Sequence, residues 1–216
     1  MMNTRKISDS TVRRLSLYLS LLRDMSASGT ALISSVELAV GSGTTAAKVR
    51  KDLSNFGSFG KRGQGYPVEQ LRSGIESILG VQRQRRVALV GVGKIGSALL
   101  GYDDLPARGF GISVAFDIDP KKIGRSVFDV PVLSMEELED RLSADSIEIV
   151  ILATPPAVAR DVAERVRSAG VAGILSFAAS KLEPDEGLAV RWMDVALELE
   201  GLSFLISSAA NGSEEM

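Results

Sequence analysis

Val87-Ala88-Leu89-Val90-Gly91-Val92-Gly93-Lys94-Ile95-Gly96 decides the fold of this 216-residue chain. An uncharged apolar run leads straight into three glycines at G-x-G-x-x-G spacing, the pattern of a strand turning into a helix around a diphosphate. Gly91 permits the tight turn, Gly93 lets the main chain approach a pyrophosphate, and Gly96 allows the helix to pack closely on the strand. With Val92, Lys94 and Ile95 between them, these residues form the candidate cofactor loop, at a helix N-terminus whose free N–H groups attract phosphate. Asp117 lies 21 residues beyond Gly96 at the end of the next apolar run, where a carboxylate binds ribose hydroxyls. Such a carboxylate repels a 2′-phosphate, and Ile118 follows it rather than an arginine, so the expected cofactor is NAD(H) and not NADP(H). The adenine half of coenzyme A suits the same architecture. Thr154-Pro155-Pro156 falls on the same rim, either as a plain strand terminator or as lining of the cofactor cleft.

Around this loop, apolar runs alternate with helical periods. Buried parallel strands are predicted over 87–90, 112–116, 147–152 and 173–177, with a short further strand over 190–193. Helices are predicted over 95–100, 135–142 (capped by Ser134), 157–169 and 195–206, with a frayed tail over 207–216. This alternation specifies an α/β, Rossmann-like doubly wound parallel sheet over 87–206. Residues 82–86, polar and basic, read as a linker.

Residues 1–81 have another rhythm. Ser8 or Asp9 caps a helix with Val12, Leu15, Leu19, Leu22 and Met25 on one face. Ser34 to Glu37 is a capping box for a short second helix. Gly41-Ser42-Gly43 breaks the chain, and a third helix over 44–55 turns Val49 and Leu53 inward and Lys48, Arg50 and Lys51 outward. Four glycines and alternating aromatics over 56–66 predict a β-hairpin with Lys61 and Arg62 at its tip. Pro67 opens a fourth helix. The sum is a winged-helix domain with a helix-turn-helix over about 18–57 and a wing over 56–66. In that arrangement Thr45 and Lys48 meet base edges, Arg50 and Lys51 serve phosphates or bases, and Lys61 and Arg62 enter the minor groove.

Charge supports the same division. Residues 1–86 hold 14 Lys+Arg against 6 Asp+Glu, and residues 87–216 hold 11 against 21. A basic half suits a polyanion, here double-stranded DNA. There is no cysteine and no histidine in the chain. Redox sensing through the protein's own thiols is thereby excluded, and the side chain most used for proton transfer near neutrality is missing. No Tyr-x-x-x-Lys pair replaces it, so the nucleotide is expected to be bound without turnover and the chain not to be an enzyme. No apolar run reaches the roughly 18 residues of a membrane helix, and a cytoplasmic location without membrane association is expected.

The block Val49-Arg50-Lys51-Asp52-Leu53-Ser54-Asn55-Phe56-Gly57-Ser58-Phe59-Gly60-Lys61-Arg62-Gly63-Gln64-Gly65-Tyr66 resembles the redox-sensing transcriptional repressors called Rex. The resemblance continues through Gly91–Gly96, Ala98–Tyr102, Phe116–Asp119 and Leu202-Ser203-Phe204. It implies a homodimer on an inverted-repeat operator, with the C-terminal helix exchanged between subunits. It also implies that NADH binding releases DNA while NAD⁺ permits repression. Lys51 and Arg62 fall on the family's DNA-contact positions, and Tyr102 and Asp194 on positions near the nicotinamide. Two stretches depart from the family. Tyr18-Leu19-Ser20 stands where Tyr-Leu-Arg is usual, the arginine being the partner of the aspartate at position 194. Ser176-Phe177-Ala178-Ala179 replaces Asn-Phe-Ala-Pro.

Overall fold

The computed structural model describes residues 7–60, 63–178 and 187–212, with side chains through residue 208. It divides into two compact units, Met1–Arg83 and Gln84–Met216.

In the first unit α1 (Asp9–Ala27) starts at Ser8, whose hydroxyl accepts from the Thr11 N–H. β1 (Leu32–Ile33) precedes α2 (Ser35–Gly41), which begins with the predicted reciprocal capping box between Ser34 and Glu37. α3 (Ala46–Ser54) is capped by Thr45, and β2 (Tyr66–Pro67) runs into α4 (Val68–Leu79). Leu15, Leu19, Leu22, Leu38, Val49, Leu53, Leu71 and Ile75 make one buried core from all four helices.

The wing differs from the predicted hairpin. Residues 56–60 form no strand, and β2 pairs antiparallel with β1 through Ile33↔Tyr66 and Leu32↔Pro67. The Phe59 ring lies on Gly74 of α4, where any Cβ would collide with it, and Gly60 lies against the Gly65 carbonyl. Lys61 and Arg62, the predicted tip, lie outside the described residues. Pro67 ends β2 and precedes the fourth helix rather than occupying its first turn.

A buried ionic cluster crosses this unit. Asp52 of α3 accepts a bidentate pair from Arg14 of α1, Nε to Oδ2 at 2.6 Å and Nη2 to Oδ1 at 2.7 Å. The Tyr18 hydroxyl donates to Oδ2 at 3.0 Å. Burial alone would raise the Asp52 carboxyl, but the bonds from Arg14 and Tyr18 outweigh it and hold the group below the usual aspartate range. Burial, then the bond to the carboxylate, pushes Tyr18 up to about 12.

The second unit is built on a seven-stranded sheet of order β5-β6-β4-β3-β7-β8-β9. In chain order, β3 (Arg85–Val90) is followed by α5 (Lys94–Leu100), α6 (Asp104–Ala107) and β4 (Phe110–Asp117). Next come β5 (Ser126–Val127), β6 (Val130–Ser134), a 3-10 turn (Met135–Glu137) and α7 (Leu138–Ala144). β7 (Ile149–Leu152), α8 (Pro156–Ser168), β8 (Gly173–Ser176), β9 (Ala189–Trp192) and α9 (Val195–Gly212) complete it. All pairings are parallel except β5 with β6. On β3, Val87 and Leu89 enter one core and Ala88 and Val90 the other, so both faces are covered and the strand reads as unbroken apolar sequence. The strand order reverses between β3 and β7, which opens a crevice at their C-terminal ends.

The limits of several elements differ from the predicted ones, and β5, β6 and α6 are additions to them. β3 begins at Arg85, not Val87: Arg85 pairs with Phe110, its N–H donates to the Gly109 carbonyl, and its guanidinium meets Glu148 at 2.6 Å. Arg85 and Arg86 therefore belong to the sheet and not to a linker. β6 was absent from the sequence expectation because Pro131 interrupts its β-branched residues. It is tolerated next to the two-residue β5, where the missing N–H costs little. The last helix runs six residues past Ile206 to Gly212, since Ser207-Ser208-Ala209-Ala210 contains no breaker. Its apolar side chains are bare: Leu199, Leu202, Phe204, Leu205 and Ile206 are all more than half exposed.

The cluster of Arg14, Tyr18 and Asp52 gives the first unit a pH window. A depressed Asp52 contributes stability above its ordinary pKa of about 4, lost as pH falls through the lower folded value. A raised Tyr18 contributes stability below about pH 10, lost as pH rises toward its folded value. Urea midpoints from circular dichroism should accordingly fall at both extremes, and Tyr18→Phe should remove the decline between about pH 10 and 12.

Candidate nucleotide cleft and DNA-binding face

The crevice beside the glycine loop is a cavity of about 440 Å³ in the second unit. Gly91, Gly93, Asp117, Thr154 and Pro155 line it together, with Ile118, Lys122, Met135 and Val158 as further walls. Gly91 has φ +96, and a Cβ there would stand 2.6 Å from the Ala153 carbonyl oxygen. A Cβ on Gly96 would run into the carbonyl of Gly91, so the start of α5 lies directly on the turn. Gly93 faces open space, with no heavy atom within 4 Å of its Cβ position. The turn thus offers bare backbone to an approaching phosphate.

Asp117 is more occupied than its sequence position suggests. Oδ2 accepts from the Val92 N–H at 2.8 Å and from Lys122 Nζ at 3.0 Å, and Oδ1 accepts from the Asp119 N–H at 2.8 Å. Burial would raise its pKa, but these three donors outweigh burial and lower it. The carboxylate stays ionised, and its two oxygens keep room for a further donor. Its negative charge is nevertheless matched by Lys122, a residue the motif reading did not single out.

The fit to a dinucleotide rests on an orphan. Among the described residues, Thr154 carries a buried hydroxyl without a hydrogen-bond partner. It sits at the end of β7 with its methyl toward Gly91. A buried hydroxyl left unpaired is costly, and this one belongs to a residue that lines the cleft. The residues present therefore fit NAD(H): backbone of the Gly91–Gly96 turn for pyrophosphate, Asp117 for ribose, Thr154 for a further polar group.

Other expected cofactor residues lie elsewhere. Lys94 and Ile95 are exposed on the first turn of α5 and do not line the cavity. Tyr102 borders a separate cavity of about 290 Å³ with Asp103 and Phe128. Asp194 uses Oδ1 to accept the Ala196 N–H at the start of α9. A single chain thus does not bring Tyr102 or Asp194 to the glycine loop, because Tyr102 lies beyond the far end of α5 and Asp194 follows β9, the edge strand three places from β3.

In the first unit α3 presents a basic outer face. Val49, Asp52 and Leu53 are buried, and Lys48, Arg50 and Lys51 are exposed. Asp52 is the sole acid in α3 and is turned inward onto Arg14. The Thr45 hydroxyl caps the helix, accepting from the Lys48 N–H at 3.3 Å, and remains free to donate outward. Arg50 donates to Ser35 at 3.0 Å, which ties α3 to the start of α2.

Fold and sites together define a DNA-binding protein with a nucleotide-binding domain. A family model described as "CoA binding domain" matches residues 82–180, and one described as "Putative DNA-binding protein N-terminus" matches residues 6–54. The redox-sensing transcriptional repressor Rex of Carboxydothermus hydrogenoformans is 42% identical over 201 residues, covering 93% of this chain and 97% of its own. The solved structure of RSP in complex with β-NAD⁺ and operator DNA superposes with a TM-score of 0.87 at 31% identity, over 96% of both chains. RSP in complex with β-NADH gives 0.86 at 29% identity, over 98% of this chain and 99% of that one. The chain belongs to the Rex family of redox-sensing transcriptional repressors.

Two substitutions separate the elements of the nucleotide site. Thr154→Val removes the orphan hydroxyl while keeping shape, so thermal stability without nucleotide should hold or rise while NADH affinity falls about 2- to 10-fold. Gly96→Ala overpacks α5 against the turn and should weaken NADH about tenfold or more. Calorimetric titration and thermal melting read both; an unchanged NADH affinity in Thr154→Val would remove that residue from the site.

Proposed function

We propose that the chain is a transcriptional repressor that binds an inverted-repeat operator as a homodimer and releases it when NADH occupies the cleft. The carrying observation is its full-length similarity to RSP, a repressor solved with NAD⁺ and operator DNA and also with NADH. Thr45 at the N-cap and Lys48 and Lys51 of α3 are assigned to the major groove, and Arg50 to the phosphate backbone. Lys61 and Arg62, seven residues and more beyond α3, are assigned to the adjacent minor groove.

When bound, NAD(H) supplies a single variable, the charge and shape of its nicotinamide. The chain's own residues do the rest. The Gly91–Gly96 backbone holds the diphosphate, Asp117 holds the ribose, and Thr154 and Pro155 close the rim. Tyr102 and Asp194 are assigned to the nicotinamide end in the assembled dimer. The cofactor acts as a ligand and is not turned over, in a chain without histidine. No described helix is long and apolar enough to cross a membrane. The cytoplasm, where the operator and the NADH pool meet, is the proposed location.

The exposed apolar side of α9 fits burial against a second copy, by exchange of this helix between subunits. Leu202→Asp with Phe204→Asp should convert a dimer to monomer in sedimentation analysis and weaken operator binding strongly, since two half-sites would no longer be held together.

One observation favours a looser coupling between the two sites. Ser20 stands where the family carries the arginine that pairs with the aspartate at position 194. Arg23, the nearest cation downstream on α1, already meets Glu76 of α4 at 3.5 Å. Mobility shift on an A·T-rich inverted repeat tests both readings. Release by NADH and retention with NAD⁺ supports the sensor; equal affinity with the two nucleotides supports a constitutive repressor; no specific shift sinks both. In the same assay Lys48→Ala should lower affinity and reduce the salt slope by about 1 if it contacts phosphate, or relax specificity at one base pair if it reads a base edge.

A further inference from the structure

The buried acid of α3 is at odds with the rest of that helix. α3 faces outward with Lys48, Arg50 and Lys51, yet its inner face sets a carboxylate between Val49 and Leu53. Both neighbours are almost fully buried and already anchor the helix to the core. A third apolar side chain would have added packing without the desolvation cost of a charge. Stability alone therefore does not explain the choice of aspartate.

Directionality does. Apolar contacts hold a nine-residue helix against a core but leave its rotation and axial slide weakly fixed. A bidentate guanidinium–carboxylate pair fixes both, because two parallel N–H···O bonds align only in one orientation. Arg14 supplies that pair, and Tyr18, one turn further along α1, bonds the same carboxylate from the side at 3.0 Å. Arg14 is itself steadied by Thr11 Oγ1 at 3.1 Å in the first turn of α1. The Tyr18 ring is fully buried. The arrangement also neutralises, and turns away from the outer face, the one negative charge on a helix that must approach a polyanion.

We infer that Asp52, gripped by Arg14 and Tyr18, is a positioning residue that sets the orientation in which α3 presents Lys48 and Lys51 to the operator, without touching DNA itself. This role rests on the reading of α3 as the recognition helix. It predicts a split between two kinds of binding. Attraction to any duplex depends on the surface cations, which the cluster leaves in place. Discrimination among sequences depends on alignment with base edges, which the cluster controls.

The test uses the full chain, a duplex selected by the wild-type protein from a randomised pool, and a scrambled duplex of equal length and composition. Asp52→Asn and Arg14→Lys should weaken binding to the selected duplex about tenfold or more, while the scrambled duplex changes by less than about twofold. The slope of log Kd against log salt should stay that of wild type. Tyr18→Phe, which keeps the ring and loses one bond, should lie between, at a loss of a few-fold. Should Asp52→Asn fail to fold, Arg14→Lys and Tyr18→Phe carry the comparison, with thermal melting confirming the native state. Parallel loss on both duplexes in folded variants, or no loss on either, overturns the inference. A wild-type protein that selects no duplex overturns the repressor reading itself, and this role with it.

Discussion

The contact on which the second unit depends is the absence of an atom. With no side chain on Gly96, the first turn of α5 settles onto the carbonyl of Gly91 at the end of β3. That approach aims the helix N-terminus at the crevice where the strand order reverses, and it leaves Gly93 facing open space. Asp117 then bonds the Val92 N–H and fixes the turn to the neighbouring strand. Loop, helix and carboxylate are one assembly, so a change at any of them is felt at the others. The cleft is preformed because its backbone partners are bonded to each other before a ligand arrives.

The first unit solves a different problem. It must hold a short basic helix at a definite angle with few residues, and it does so by combining a small apolar core with one ionic cluster. The two units use buried aspartates for related ends. Asp52 and Asp117 are both largely buried, both held ionised by surrounding donors, and both join elements far apart in sequence. In each case the acid's partners, rather than the acid, decide what the neighbouring backbone can present.

Much of this was legible in the sequence, and the gaps have physical causes. Local signals with a stereochemical mechanism carried through: the glycine loop, the Ser34 capping box, the Ser134 cap, and the 3.6-residue periods of α1 and α4. Signals that depend on a distant partner did not. β6 was invisible because Pro131 argues against a strand until its edge position is known. Arg85 and Arg86 resembled a linker because charge on a strand makes sense only with Gly109 and Glu148 beside it. Asp52 has no partner within its own stretch of sequence, and only the fold brings Arg14 and Tyr18 to it. Tyr102 and Asp194 were assigned to the nucleotide by resemblance, and within one chain they stand apart from the cleft.

The bare flank of α9 has a thermodynamic meaning of its own. If those leucines and Phe204 find cover only on a second copy, the folded state of this chain is a bimolecular product, and its stability follows the law of mass action. Each dilution then weakens the fold as well as the assembly. The number of copies in the cell becomes a variable of the molecule, alongside the nucleotide it binds.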